Sequence, residues 1–130
     1  MPKIVHRVHP TVPLSGVVEA GDFLFVSGQL AFGEDGRLLD GGVADQTKQI
    51  LTNIEALLRP LNAGMDDIVK TTVWLADGAD FQAFNDAYRA FFKTTPPARS
   101  TLVSGLLMDA RIEIEAVVYR PAFGSMAENG

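Results

Sequence analysis

At 130 residues the chain has room for one domain with a core, expected over 1–130, and not comfortably for a second. A hydrophobic share of 47% with 21% charged residues excludes a disordered chain, and the lack of cysteine excludes disulfides and cysteine zinc sites. A net charge of -5 opposes the counterion release that drives nucleic-acid binding, and no basic run offsets it, so nucleic acid is not an expected partner.

The start, Met1-Pro2-Lys3-Ile4-Val5-His6-Arg7, has no apolar stretch of signal-peptide kind, and no later run approaches membrane-spanning length. A soluble, cytoplasmic protein with no membrane partner is expected. Pro2, Pro10 and Pro13 favour an extended arm over about 1–15, with His6 and His9 as solvated members of it, remote from any acidic cluster. No metal site is expected.

Val17-Val18-Glu19-Ala20 and Phe23-Leu24-Phe25-Val26-Ser27 flank Gly21-Asp22 and read as a β-hairpin. The glycine-rich stretch from Gly33 to Gly42 is a surface loop with a short extended piece at Arg37-Leu38-Leu39. Val43, Thr47, Ile50, Leu51, Ile54, Leu57, Leu58 and Leu61 recur at helical steps, which predicts an amphipathic helix that Pro60 ends and Asn62-Ala63-Gly64 terminates.

Ile68 to Leu75 is β-branched and predicts a strand, with Val69, Thr71, Val73 and Leu75 on one face. Its other face carries Ile68, Lys70, Thr72 and Trp74, and Lys70 is expected in a strand-face salt bridge rather than as a Schiff-base lysine. Asp80 is placed to cap a second helix bearing Phe81, Phe84, Tyr88, Phe91 and Phe92, with Asn85 and Tyr88 as packing or hydrogen-bonding elements. Pro96-Pro97 stops that helix. Strands follow at about Ala98 to Val103 and Ile112 to Tyr119, then a frayed tail at about 121–130.

The order is ββ-α-β-α-ββ, an α+β fold with two helices packed on one face of a single mixed β-sheet. The last strand then directs Ile112, Ile114, Ala116 and Val118 to the helices and Glu113, Glu115, Val117 and Tyr119 away from them. Trp74 and Val117 on an open sheet face are costly to leave in water, which predicts a homo-oligomer.

Pro97-Ala98-Arg99-Ser100-Thr101, followed by Ile112-Glu113-Ile114-Glu115-Ala116, resembles the Rid (YjgF/RidA-like) family of enamine/imine deaminases. Phe25-Val26-Ser27-Gly28-Gln29, Gln46-Thr47, Asn53-Ile54, Asp67 to Val73, and Phe81, Asn85, Tyr88 and Phe91-Phe92 add to the likeness. The resemblance implies a chorismate-mutase-like subunit and a homotrimer with ligand clefts between subunits. It also implies cofactor-independent hydrolysis of small 2-imino or enamine acids, of the 2-aminoacrylate type, to 2-keto acids and ammonia.

A 2-imino acid carries one permanent handle, its carboxylate, and a guanidinium grips a carboxylate bidentately, which suits Arg99. Hydrolysis needs a water over the imine carbon and a group that manages its protons. Glu113 and Glu115 share a strand face and are rivals for that role, and the resemblance favours Glu113. For substrate binding it implies Ser27 and Gly28, main-chain groups of Ala98 and Thr101, and the position held by Leu14. There, in Pro13-Leu14-Ser15, the family often has Gly-Pro-Tyr-Ser, so Leu14 makes the pocket more apolar. A non-catalytic small-carboxylate binder or regulator and a stress-induced holdase chaperone are the alternatives on the same scaffold.

Overall fold

The structure is a computed structural model that describes residues 2–121. Six strands form one mixed sheet in the order β1-β2-β3-β6-β4-β5. They are β1 (Ile4–Val8), β2 (Ser15–Ala20), β3 (Phe23–Gln29), β4 (Ile68–Leu75), β5 (Ala98–Val103) and β6 (Ile112–Tyr119). Helices α1 (Val43–Leu58) and α2 (Phe81–Arg89) cover one face. Only β4 and β5 run parallel, joined by α2 as a crossover. The mixed sheet with helices on one face is the α+β arrangement that the sequence predicts.

The hairpin forms where expected. Ala20 pairs with Phe23 across Gly21-Asp22, and Gly21 takes a φ of 60°, a left-handed conformation that glycine adopts without strain. Helix α1 buries Val43, Thr47, Ile50, Leu51, Ile54 and Leu58 of the predicted stripe, and Gln46 besides, against β3, β6 and α2, while Leu57 and Leu61 are only partly buried. Each fully buried Leu or Ile there contributes roughly 1.5–3 kcal/mol of transfer free energy. Pro60 sits in a 3₁₀ turn, Arg59–Leu61, and Asn62 at φ 60° closes it. The extended piece at Leu38 is a single bridge to Phe32.

Four features depart from the sequence reading. Part of the amino-terminal arm is a strand, β1, paired with β2 from Ile4↔Glu19 to Val8↔Ser15, so the order begins with three strands. His6 Nε2 lies 2.8 Å from Glu19 Oε1, and His9 Nδ1 accepts from the Thr11 and Val12 amides to shape the β1–β2 turn. Neither histidine is merely solvated.

The β4 faces are the second departure. Ile68 pairs with Val118 but Lys70 with Val117, so Val69 is an extra residue at a bulge. The bulge flips the parity: Ile68 is buried with Thr71, Val73 and Leu75, whereas Val69 is exposed. Third, Lys70 Nζ meets Thr72 Oγ1 at 3.3 Å, and among the described residues it makes no salt bridge.

Fourth, Asp80 precedes α2 but makes no capping hydrogen bond. A 3₁₀ turn, Gly78–Asp80, leads into the helix, so Asp80 is already near-helical at φ -82° and ψ -2° and cannot fold back on the first turn. Asp77 takes the capping role for that turn by accepting from the Ala79 amide, and Asp80 lies 3.7 Å from Arg111 instead. The frayed tail at 122–130 lies outside the described residues. Among the described residues no helix is long and apolar enough to cross a membrane.

Candidate functional site

The two ends of β5 and β6 put the expected site residues in different places. Arg99 pairs in register with Thr71, on the helix-covered face of the sheet, at the start of edge strand β5. Its guanidinium carbon lies 4.9 Å from the Phe84 ring centre, 5.0 Å from Tyr88 and 5.8 Å from Phe81. A cleft of about 520 Å³ opens beside it, lined by Asn85, Tyr88, Arg89, Phe92, Pro96 and Pro97. Among the described residues Arg99 makes no ion pair, so a half-buried cation faces the cleft without a carboxylate.

Tyr88 carries the floor of this cleft. Its hydroxyl lies 2.7 Å from Thr71 Oγ1 in the core. Burial pushes the Tyr88 phenol up from its ordinary value, against the hydrogen bond to Thr71 and the Arg99 charge. The phenol is therefore a neutral hydrogen-bonding group near pH 7. Asn85 and Tyr88 read from sequence as packing or hydrogen-bonding elements, as the Tyr88–Thr71 contact has it, and both also line the Arg99 cleft. The available signal was that positions 81, 85 and 88 recur on one helix face.

Glu113 lies elsewhere. It pairs with Trp74 on the open face, three residues of β4 away from Thr71, so it points to the opposite side of the sheet from Arg99. There it meets Gly28: a Cβ at Gly28 would collide with Glu113 Oε2 and lie 3.1 Å from Cδ. A second bulge makes this approach possible, because the β3–β6 register slips between Val26↔Ala116 and Gln29↔Ile114, at Ser27-Gly28. Ser27 Oγ donates to the Ser15 carbonyl at 2.6 Å, next to the exposed Leu14. Burial first, and the Glu115 charge second, raise the Glu113 carboxyl above the usual carboxylate range. Ser27, Gly28 and Glu113 thus form one group, with Leu14 one residue before the Ser15 that Ser27 holds, and Arg99 with its cleft forms another.

Thr101 belongs with Arg99. The Ser104 amide donates to the Leu75 carbonyl at 2.9 Å, continuing the β4–β5 ladder. Backbone groups alternate sides along a strand, so Ala98, Ser100 and Leu102 direct theirs towards β4, while Arg99, Thr101 and Val103 present theirs at the free edge. Thr101 main-chain groups therefore lie at the same free edge as those of Arg99, whereas those of Ala98 face β4.

A family model described as Endoribonuclease L-PSP matches residues 4–120. A RutC family protein of Pyrococcus horikoshii is 40% identical over 113 residues, covering 85% of this chain and 90% of that protein. The chain belongs to the Rid family. The human 2-iminobutanoate/2-iminopropanoate deaminase is 37% identical over 126 residues, covering 90% of this chain and 92% of that protein. Among solved structures, the Rid-family protein YyfA of Yersinia pestis superposes with a TM-score of 0.82 at 35% identity, covering 91% of this chain and 99% of that one. The chain therefore has the Rid, chorismate-mutase-like fold.

Proposed function

We propose that the chain is a cofactor-independent hydrolytic deaminase of small 2-imino and enamine acids, working as a homotrimer. The observation that carries the reading is Arg99: a half-buried guanidinium with no carboxylate partner among the described residues, facing a cleft. Its bidentate donors match the carboxylate of a 2-imino acid, and Thr101 main-chain groups at the free edge add a neutral contact. Relatives named 2-iminobutanoate/2-iminopropanoate deaminase support the same chemistry.

The second half of the site follows from the sheet. Arg99 and Glu113 point to opposite faces within one chain, so one cleft holds both when Arg99 of one copy meets the open face of another. Glu113, over Gly28, then orients a water on the imine carbon and accepts its proton as the C–O bond forms. The C=N π electrons move to nitrogen, which takes that proton to give a carbinolamine. The carbinolamine's hydroxyl proton then passes to nitrogen as the C–N bond breaks and the C=O bond forms, leaving a 2-keto acid and ammonia. Leu14 and Ser27 border the water-bearing half, Leu14 giving it an apolar wall. The expected setting is the cytoplasm, alongside the pyridoxal-phosphate enzymes that release such imines.

The endoribonuclease description of the family model is the less favoured reading here, because a net charge of -5 works against binding a polyanion. The test generates 2-iminopropionate with a serine dehydratase and intercepts it with semicarbazide. Added protein should lower semicarbazone formation. An unchanged rate, with 2-keto acid still bound through Arg99, would favour a non-catalytic carboxylate binder instead.

A further inference from the structure

Phe81, Phe84 and Tyr88 fall on one face of α2, and all three rings stand within 5.8 Å of the Arg99 guanidinium carbon. Phe84 and Tyr88 are core residues in their own right, 0% and 5% exposed. Phe81 is different: it is 45% exposed, and core packing gives no reason for an aromatic ring there. Its ring lies by Arg99.

A partly desolvated guanidinium ordinarily gains a carboxylate neighbour, because an unpaired buried charge is costly. Aromatic faces offer another solution. They attract the cation through their negative quadrupole and leave its net charge in place. The Tyr88 ring is itself fixed, since its hydroxyl contacts Thr71 Oγ1, and Thr71 is the register partner of Arg99. The path from β4 through Tyr88 to Arg99 and back along the β4–β5 pairing is closed.

The geometry points to Phe81, Phe84 and Tyr88 as positioning residues that hold Arg99 oriented and uncompensated for an incoming carboxylate, with Thr71 fixing Tyr88. This rests on Arg99 as the carboxylate anchor and goes beyond it. Because a carboxylate grip is made in the ground state and kept in the transition state, weakening the cradle should raise KM more than it lowers kcat.

The experiment measures binding of 2-oxobutanoate, a stable keto acid, by calorimetry, and imine turnover by semicarbazide interception. Phe81→Leu, at an exposed position, should fold like the parent and raise Kd and KM roughly threefold with kcat little changed. Tyr88→Leu should raise both about tenfold, and Tyr88→Phe, which keeps the ring, should restore most of that loss. The inference is overturned if Phe81→Leu binds like the parent while Arg99→Gln abolishes binding. It is equally overturned if Tyr88→Phe loses as much as a folded Tyr88→Leu. Unimpaired binding by Arg99→Gln would instead remove the anchor reading, and the cradle with it. Should Tyr88→Leu not fold, the Phe81 variant decides.

Discussion

In the proposed reaction two side chains divide the chemistry, and each part can be measured. Loss of the Arg99 grip removes charge-assisted hydrogen bonds worth roughly 1.5–3 kcal/mol, so Arg99→Ala should lower kcat/KM by about ten- to a hundredfold. Glu113 must be ionised to take a proton from water. Its carboxyl is raised by burial and then by Glu115, so kcat/KM should fall, as pH drops, at a higher pH than an ordinary glutamate would dictate. Glu115→Gln removes the like charge and should move that acidic limb to lower pH, while Glu113→Gln should lose the activity that shows it. A pH–rate profile of the three proteins checks both. Arg99 and the Glu113/Glu115 pair were legible as candidates because Pro-Pro-Ala-Arg-Ser and Ile-Glu-Ile-Glu are local patterns, and the family resemblance favoured Glu113 of the two. The roles of Asn85 and Tyr88 were not. Helical periodicity reports which residues turn inward, and cannot report that a strand from elsewhere sends an arginine to meet them.

Among elements, those with a buried face were legible. The β2–β3 hairpin, α1, α2 and β6 all announce themselves by period, and most of their predicted inward residues are the core, although Phe81 is exposed and Leu57 and Phe91 are only partly buried. Ile54 on α1 is 0% exposed, so Ile54→Ala should lower stability by about 2–5 kcal/mol, read from chemical denaturation. Strand β1 gave no such signal, because four of its five residues are exposed and backbone pairing with β2 holds it. One side-chain tie adds to that pairing: the His6 hydrogen bond first, with Arg120 alongside, lowers the Glu19 carboxyl below its ordinary value. A depressed folded-state pKa gives stability that is present above the unfolded pKa and lost as pH falls through the folded one. Glu19→Gln should therefore cost about 0.5–1 kcal/mol at neutral pH and nothing in acid, by thermal melts across that range. The bulges at Val69 and Ser27-Gly28 also escaped the sequence, since strict alternation is the only rule a strand pattern offers. They matter, because one exchanges Ile68 and Val69 between the β4 faces and the other brings Gly28 under Glu113.

At the scale of the whole molecule, the open sheet face carries the proposed assembly. Phe23, Phe25 and Tyr119 are each more than 40% exposed on it, with ring centres 5.4 Å apart for Phe23 and Tyr119. Such a patch beside half-buried Glu113 suits burial against a second copy. Phe25→Glu should shift the protein to monomers in sedimentation and remove imine turnover together, because each cleft then lacks its second half. The most direct test of a site shared between copies mixes Arg99→Ala and Glu113→Gln chains by co-refolding. Each variant alone should barely lower semicarbazone formation. Their equimolar mixture should recover activity at roughly one cleft in four, the fraction that draws an intact Arg99 from one copy and an intact Glu113 from its neighbour. A mixture as inactive as its parts, beside co-refolded unmutated protein of full activity, would contradict the shared site.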